Sequence, residues 1–315
     1  MKKIIVLMPH YELGFIVRLM WGWVSSIRLD LKKSNRLYQT SKNDAILSWL
    51  DKRYGLLVPS ELPPTFLRKV EDENSYIWVF WYQGEDNNMP EVVKMCIDSI
   101  RRNANGHQVV VLSKYNWDDY IQMPDYIMKG VQKGYITLTH LSDLLRVSLL
   151  YEYGGLWMDA TLYVTHPIET GGLNPLFDSI KLKSRNNGTI SNFRWATFYL
   201  YSQKGNPVFE VFRNVLFAFC KDEYKKFIDF LLIDYTFEML YRKCEEFRAV
   251  IDAMPYRNEH LYDLIEYLNH PISAEILTNR WSNTHIYKLN WRPKYCKEID
   301  GKETLYAKLL KQVKE

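Results

Sequence analysis

An acid and a base stand three residues apart in Leu141-Ser142-Asp143-Leu144-Leu145-Arg146, and a second acid closes the run Tyr153-Gly154-Gly155-Leu156-Trp157-Met158-Asp159. On a helix, residues three apart share a face, so Asp143 and Arg146 are neighbours. The bland outcome is an ordinary intrahelical ion pair worth a few tenths of a kcal/mol. The context favours chemistry. A ligand that carries both a diphosphate and a sugar needs cations for the first and carboxylates to grip the hydroxyls of the second, and this stretch supplies both. Asp159, placed after an apolar run and before a loop, suits a ligand for hydroxyls or a metal better than a structural acid.

The elements that must position these residues can be read from periodicity. Leu141, Leu144, Leu145, Leu149 and Tyr153 fall near one helical stripe, and Asp143, Arg146 and Leu150 lie along a neighbouring one. Gly154 fits the left-handed position just past a helix end, and Gly155 permits a sharp entry into a strand Leu156–Met158 that delivers Asp159 to its carboxyl edge. In open α/β sheets that edge is where ligands bind. Upstream, Tyr76–Trp81 is a continuous apolar, aromatic and β-branched run that predicts a doubly buried strand. A helix over Pro90–Asn103 and a strand over Gln108–Leu112 complete a β-α-β unit, with Gly84–Pro90 as the loop between. A further short strand is expected at Tyr135–Leu138 and another at Ala196–Tyr201. After a turn at Lys204–Pro207, helices are expected at 207–220, 222–243 and 258–269. The expected fold is α/β: a mostly parallel, Rossmann-like sheet flanked by helices, with helical additions at both ends. Residues 1–75 read as a helical N-terminal extension, 76–205 as the ligand-binding core, and 206–315 as a helical C-terminal region.

The combined pattern Ser142-Asp143-Leu144-Leu145-Arg146, Tyr153-Gly154-Gly155 and Asp159, with Trp81-Tyr82-Gln83-Gly84 upstream, resembles glycosyltransferase family 32, in particular its capsular polysaccharide synthesis branch. The resemblance runs over roughly residues 76–205 and more weakly to about 291. It implies a GT-A type fold and a retaining hexosyltransferase that uses a nucleotide diphosphate sugar, UDP-linked above all. By this likeness Asp143 holds ribose or donor sugar hydroxyls, with Ser142 beside it among the substrate-binding residues, Arg146 binds the donor sugar or diphosphate, and Asp159 contacts ribose and a metal-bound diphosphate. Trp81 or Tyr82 stacks on uracil and Gln83 reads its edge, although strand alternation equally allows Trp78, Phe80 and Trp81 to be core. On the acceptor side it points to Asn192–Tyr201, the turn Gly205-Asn206-Pro207 and Asp234, an acid that interrupts the apolar run Phe230–Tyr235, and in a C-terminal segment Trp281–Leu289 to His285 and Lys288, which would neutralise the departing diphosphate.

The chain departs from the family's Asp-x-Asp at one position, where Thr161 replaces the second acid. Mn²⁺ or Mg²⁺ prefers hard anionic oxygens, so the implied metal loses a carboxylate and keeps Asp159 and the Thr161 hydroxyl. Thr161 is also the best support for a competing reading as a non-catalytic nucleotide-sugar or glycan-binding protein. A metal-dependent hydrolase built on Asp143, Asp159 and His285 is a third reading, weakened by the lack of close His/Asp pairs.

Composition bounds the remaining possibilities. With 47% hydrophobic and 25% charged residues the chain is globular, and 15% aromatics, including 10 Trp and 23 Tyr, suits a sugar-handling surface or an aromatic core. A net charge of +4 without dense basic blocks excludes a nucleic-acid partner. Four widely spaced cysteines read as reduced thiols and point to the cytosol. Phe15–Val24 is too interrupted to span a bilayer. With Arg18 and Arg28 it reads as an amphipathic helix, packed on the protein's own body or touching the inner face of the cell membrane. The implied partners are a UDP-sugar and a glycan or lipid-linked oligosaccharide acceptor.

Overall fold

The computed structural model describes residues 4, 7–8, 10–26, 31–63, 76–170, 172–174, 176–183, 188–222, 226–273 and 281–313. The helices α1 (Leu13–Ser26) and α2 (Leu31–Tyr54), packed on each other, precede the sheet, and the expectation for 64–75 lies outside the described residues. The sheet begins with β1 (Tyr76–Phe80), α3 (Glu91–Arg102) and β2 (Gln108–Leu112), as the apolar runs and their helical spacing require. Next come α4 (Asp125–Gln132), α5 (Leu138–Glu152) and β3 (Gly155–Met158), and then β4 (Leu162–Val164), β5 (Asp178–Ser179) and β6 (Tyr199–Ser202). The C-terminal part holds α6 (Pro207–Lys221), α7 (Leu232–Lys243), α8 (Glu245–Ala253), α9 (Leu264–Tyr267), β7 (Ile286–Lys288), β8 (Glu298–Ile299), β9 (Lys302–Glu303) and α10 (Leu305–Gln312).

The central sheet has the order β2-β1-β3-β6-β5. β1 is parallel to both β2 and β3, whereas β6 runs antiparallel to β3 and to β5. This is the mostly parallel α/β sheet that the sequence leads one to expect. Strand alternation divides the interior in two. Trp78, Trp157 and Leu200 face a layer containing α1, α2, α5, α6 and α7, while Ile77, Val79, Leu156, Met158 and Tyr199 face α3, α9 and α10. Trp78 and Trp157 are fully buried, and truncating either to alanine would cost on the order of 3–5 kcal/mol.

Several expected elements differ. Tyr135–Leu138 is no strand: Thr137 caps α5 by accepting from the His140 amide, so the polar cap overrides a short apolar run. The Ala196 strand begins only at Tyr199, because the Ala196 amide is held by the Ser179 hydroxyl instead of a ladder. Of the described residues in the helix expected over 222–243, only Leu232–Lys243 is helical, after the Asp229 side chain has capped the turn at Leu231, and α8 follows it where none was expected. Of 258–269 only Leu264–Tyr267 is helical. All four cysteines are free. No described helix is long and apolar enough to cross a membrane.

Candidate active site

Two glycines set the geometry. Gly154 and Gly155 have φ of 70° and 92°, the left-handed region that side chains disfavour. A Cβ on Gly155 would lie 2.4 Å from the Tyr76 carbonyl oxygen, and one on Gly154 2.5 Å from the Lys204 amide nitrogen. The chain therefore passes between β1 and the β6–α6 turn with no space for a side chain, and Trp78 Nε1 donates to the Gly154 carbonyl across this junction. The result is that β3 enters the sheet beside β1 and ends at Asp159, whose amide donates to the Phe198 carbonyl. Asp159 and the segment Trp81–Gln83 thus leave the sheet at the same carboxyl edge.

The helix face bearing Asp143 and Arg146 is not a solvated one. α5 is buried from His140 to Leu150 except at Ser142, and both charged side chains are over nine-tenths covered. Arg146 Nη1 lies 3.0 Å from Asp143 Oδ1, and Nη2 lies 3.2 Å from Asp159 Oδ1 and 3.5 Å from Ser142 Oγ. Its guanidinium stacks 4.9 Å above the Trp157 ring, whose Nε1 donates to Asp159 Oδ1 at 3.1 Å. From the other side Lys288 Nζ reaches Asp159 Oδ2 at 2.7 Å and Thr161 Oγ1 at 2.9 Å. Lys288 is brought there by the β4–β7 ladder, in which it pairs with Leu162, and its ammonium rests 4.7 Å from the Phe198 ring.

Burial and charge pull the three acids apart. Burial raises the Asp143 carboxyl to about 7, with Arg146 opposing and Asp234 and Asp159 reinforcing the rise. Burial likewise raises Asp234, in the first turn of α7, to about 6, opposed by the hydrogen bond from Trp195 Nε1 at 2.9 Å and by Arg146. Burial pushes Asp159 up as well, but Lys288 and Arg146 outweigh it and hold the carboxyl down at about 2. The cluster holds an ionised carboxylate, Asp159, with 28% of its side chain exposed, the 20%-exposed Lys288 beside it and the buried Arg146 beneath, and two buried acids whose carboxyls are raised toward neutrality. Buried ion-pair networks and sites used for chemistry both separate carboxyls in this way.

Asp143, Arg146, Ser142, Asp159, Thr161 and Lys288 are therefore joined by direct contacts, and Asp234 is coupled to them through its charge. His285 is not with them. It stands just before β7, three residues from Lys288 and about 10 Å away by strand rise, with its ring 4.0 Å from that of His166. Trp81 is half-buried, packs edge-on against Trp291, and has an Nε1 that is buried without a hydrogen-bond partner. Tyr82 packs on Phe80, and Gln83 is exposed in the turn after β1. Trp157 was not among the expected site residues, while Trp195 and Phe198 lie inside the Asn192–Tyr201 segment that the family likeness points to. For Trp157 a signal existed, since strand alternation sets residues 157 and 159 on one face.

The divalent cation implied by the family likeness needs several free hard oxygens. Here both Asp159 oxygens already accept from cationic or indole donors and the Thr161 hydroxyl accepts from Lys288. Among the described residues no group of three or more His, Cys, Asp or Glu could hold a metal. The protein's own donors, one carboxylate and one hydroxyl both engaged by Lys288, do not by themselves make a site for a resident Mn²⁺ or Mg²⁺.

A family model described as capsular polysaccharide synthesis protein matches residues 27–309, and the chain belongs to that family. The O-glycosyltransferase braB of Annulohypoxylon truncatum is 27% identical over 149 residues, 45% of this chain and 32% of that protein. The chain thus matches about a third of the length of this curated relative. A solved structure titled PaToxG Glycosyltransferase aligns over 75% of this chain and 83% of its own, with a TM-score of 0.38 and 13% identity.

Proposed function

We propose that this protein is a retaining glycosyltransferase that moves a hexose from a UDP-sugar to a hydroxyl of a glycan, carried on a lipid, in capsular or other cell-surface polysaccharide synthesis. The family match and the similarity to an O-glycosyltransferase support glycosyl transfer. The observation that carries the reading is Arg146, a buried guanidinium bridging Asp143 and Asp159 at the carboxyl edge of the sheet.

Breaking the bond between the anomeric carbon and the diphosphate oxygen leaves negative charge on the diphosphate and positive charge on the sugar. Lys288, partly exposed, and the buried Arg146 beneath Asp159 meet the first charge, fixed in place before the reaction begins. Asp159 and Asp143 grip hydroxyls and orient the ring, and Asp234 lies behind them on the acceptor side. In retention without a protein nucleophile, the acceptor oxygen bonds to the anomeric carbon from the face the diphosphate leaves, and its proton passes to the departing diphosphate. The half-buried Trp81, with its unused Nε1 at the end of β1, is the base-stacking candidate.

A lipid-carried acceptor requires contact with a bilayer. Leu13, Val17, Met20 and Val24 recur at helical spacing on α1 and stay 75%, 52%, 36% and 50% exposed, while Phe15, Ile16 and Leu19 pack inward. Arg18 lies on the other side of the helix, facing α2, where it lines with Glu12, Phe15, Trp49, Lys52 and Arg53 a cavity of about 540 Å³. The exposed apolar stripe itself suits insertion into a lipid surface at the inner face of the membrane.

Incubating the chain with a panel of UDP-sugars tests the proposal. Release of UDP, or transfer to a supplied glycan with NMR showing the α linkage retained from an α donor, supports it. Nucleotide-sugar binding without turnover would make the chain a binding module, and cleavage of unrelated phosphoesters would make it a hydrolase.

A further inference from the structure

We propose that the Lys288 ammonium supplies, from within the protein, the positive charge on the donor diphosphate that Asp-x-Asp sites obtain from a divalent cation, so that donor binding needs no metal. This rests on the reading of the site as one for a nucleotide diphosphate sugar and names the group that replaces the metal.

The geometry carries it. Lys288 Nζ sits between the two side chains that correspond to the metal-binding pair, 2.7 Å from Asp159 Oδ2 and 2.9 Å from Thr161 Oγ1. An ammonium has three donors, of which these two contacts use two. The third remains for a diphosphate oxygen, and the side chain keeps 20% of its surface open. Its position is not left to a flexible stem. The backbone is held by the β4–β7 ladder and by the Lys288 amide donating to the Leu261 carbonyl, and the Phe198 ring lies 4.7 Å from the ammonium.

Charge arithmetic explains Thr161. Asp159 and its two direct cationic partners, Arg146 and Lys288, sum to +1, which Asp143 on the far side of Arg146 lowers to the extent that it is ionised. A second carboxylate at position 161 would take away a further unit of positive charge, bringing the sum to zero or below, and leave a diphosphate without a net attraction unless a cation were added. Threonine accepts the Lys288 hydrogen bond at no charge. Loss of the second acid and presence of the lysine are thus one arrangement, joined across 127 residues of sequence.

Calorimetric titration of UDP into the full chain tests this, in EDTA and again in Mn²⁺. UDP affinity in EDTA is expected to stay within about twofold of that in Mn²⁺, and Lys288→Met is expected to weaken it on the order of 10- to 100-fold, as for loss of a hydrogen bond to a charged group. Lys288→Arg should restore most of the loss. In the double variant Lys288→Met/Thr161→Asp, Mn²⁺ binding read by electron paramagnetic resonance should appear and UDP binding should become metal-dependent. UDP binding by the unaltered protein only when Mn²⁺ is present would overturn the inference and leave the transferase reading standing. Unchanged UDP affinity of Lys288→Met in EDTA would also overturn it. No UDP binding under either condition would remove both.

Discussion

Replacing Asp159 by asparagine removes one negative charge between two cations and leaves the shape of the side chain unchanged. From an ordinary aspartate near 3.9, the Asp159 carboxyl is held at about 2 in the folded chain. At 1.36 kcal/mol per pH unit, this amounts to about 2.5 kcal/mol of folding stability at pH 7, and the 28% exposure of the side chain makes about 2 kcal/mol the better figure. Because the folded value is depressed, this contribution is complete above pH 4 and is lost as the pH falls from about 4 to 2. Asp159→Asn should therefore unfold some 4–8 °C below the parent at pH 7, as expected for about 2 kcal/mol in a chain of this size. The gap should close as the pH approaches 2. The Asn amide turns a donor toward Lys288, so Asp159→Asn/Lys288→Met should recover part of the loss, the sign of direct coupling. UDP release from a donor sugar should fall on the order of 10²- to 10³-fold. Thermal denaturation followed by circular dichroism at pH 7 and pH 3, with UDP release measured in parallel, decides the matter. An Asn variant with the parent's midpoint at pH 7 and the parent's turnover would refute the assignment of Asp159.

Other perturbations act on different links. Asp143 behaves oppositely to Asp159, since a raised carboxyl stabilises the fold below pH 4 and that contribution is lost as the pH climbs through about 7. The melting temperature of Asp143→Asn should accordingly decline less than the parent's between pH 5 and pH 8, and an identical decline would count against burial of this acid. Gly155→Ala should cost roughly 2–4 kcal/mol or prevent folding, because its Cβ meets the Tyr76 carbonyl at 2.4 Å; a melting point within 1–2 °C of the parent would contradict the close approach. Val17→Glu/Met20→Glu should reduce sedimentation with phosphatidylcholine–phosphatidylglycerol vesicles at least tenfold without altering UDP affinity, and unaltered sedimentation would exclude this face of α1 as the lipid contact.

Much of the sheet was legible because its signals are local. The apolar run at 76–81 and the run Gln108–Leu112 became β1 and β2, and the helical spacing of Val92, Val93, Cys96 and Ile100 became α3. The double glycine marked the junction where β3 begins. Local signals failed where a side chain competes for the backbone, as Thr137 does at the expected 135–138 strand and Asp229 does before α7. For α1 the sequence left two outcomes, packing on the body or contact with a membrane. The helix divides them, with Phe15 and Leu19 buried and Val24 and Trp21 exposed. Arg28 lies outside the described residues.

By itself the sequence determined which residues share a helix face or a strand edge, since periodicities of 3.6 and 2 operate over a few residues: Asp143 with Arg146, and Asp159 beyond the glycines. Only the tertiary structure decided what those groups meet. The Lys288–Asp159 contact closes a separation of 129 residues and exists because β7 pairs with β4. The Trp195–Asp234 contact spans 39 residues and depends on α7 lying against the loop before β6. Burial of α5 on nearly all sides, which sets the charge state of Asp143, comes from the sheet and α6 closing over it together. Pairings of this kind follow from how distant surfaces fit, and no local period records them.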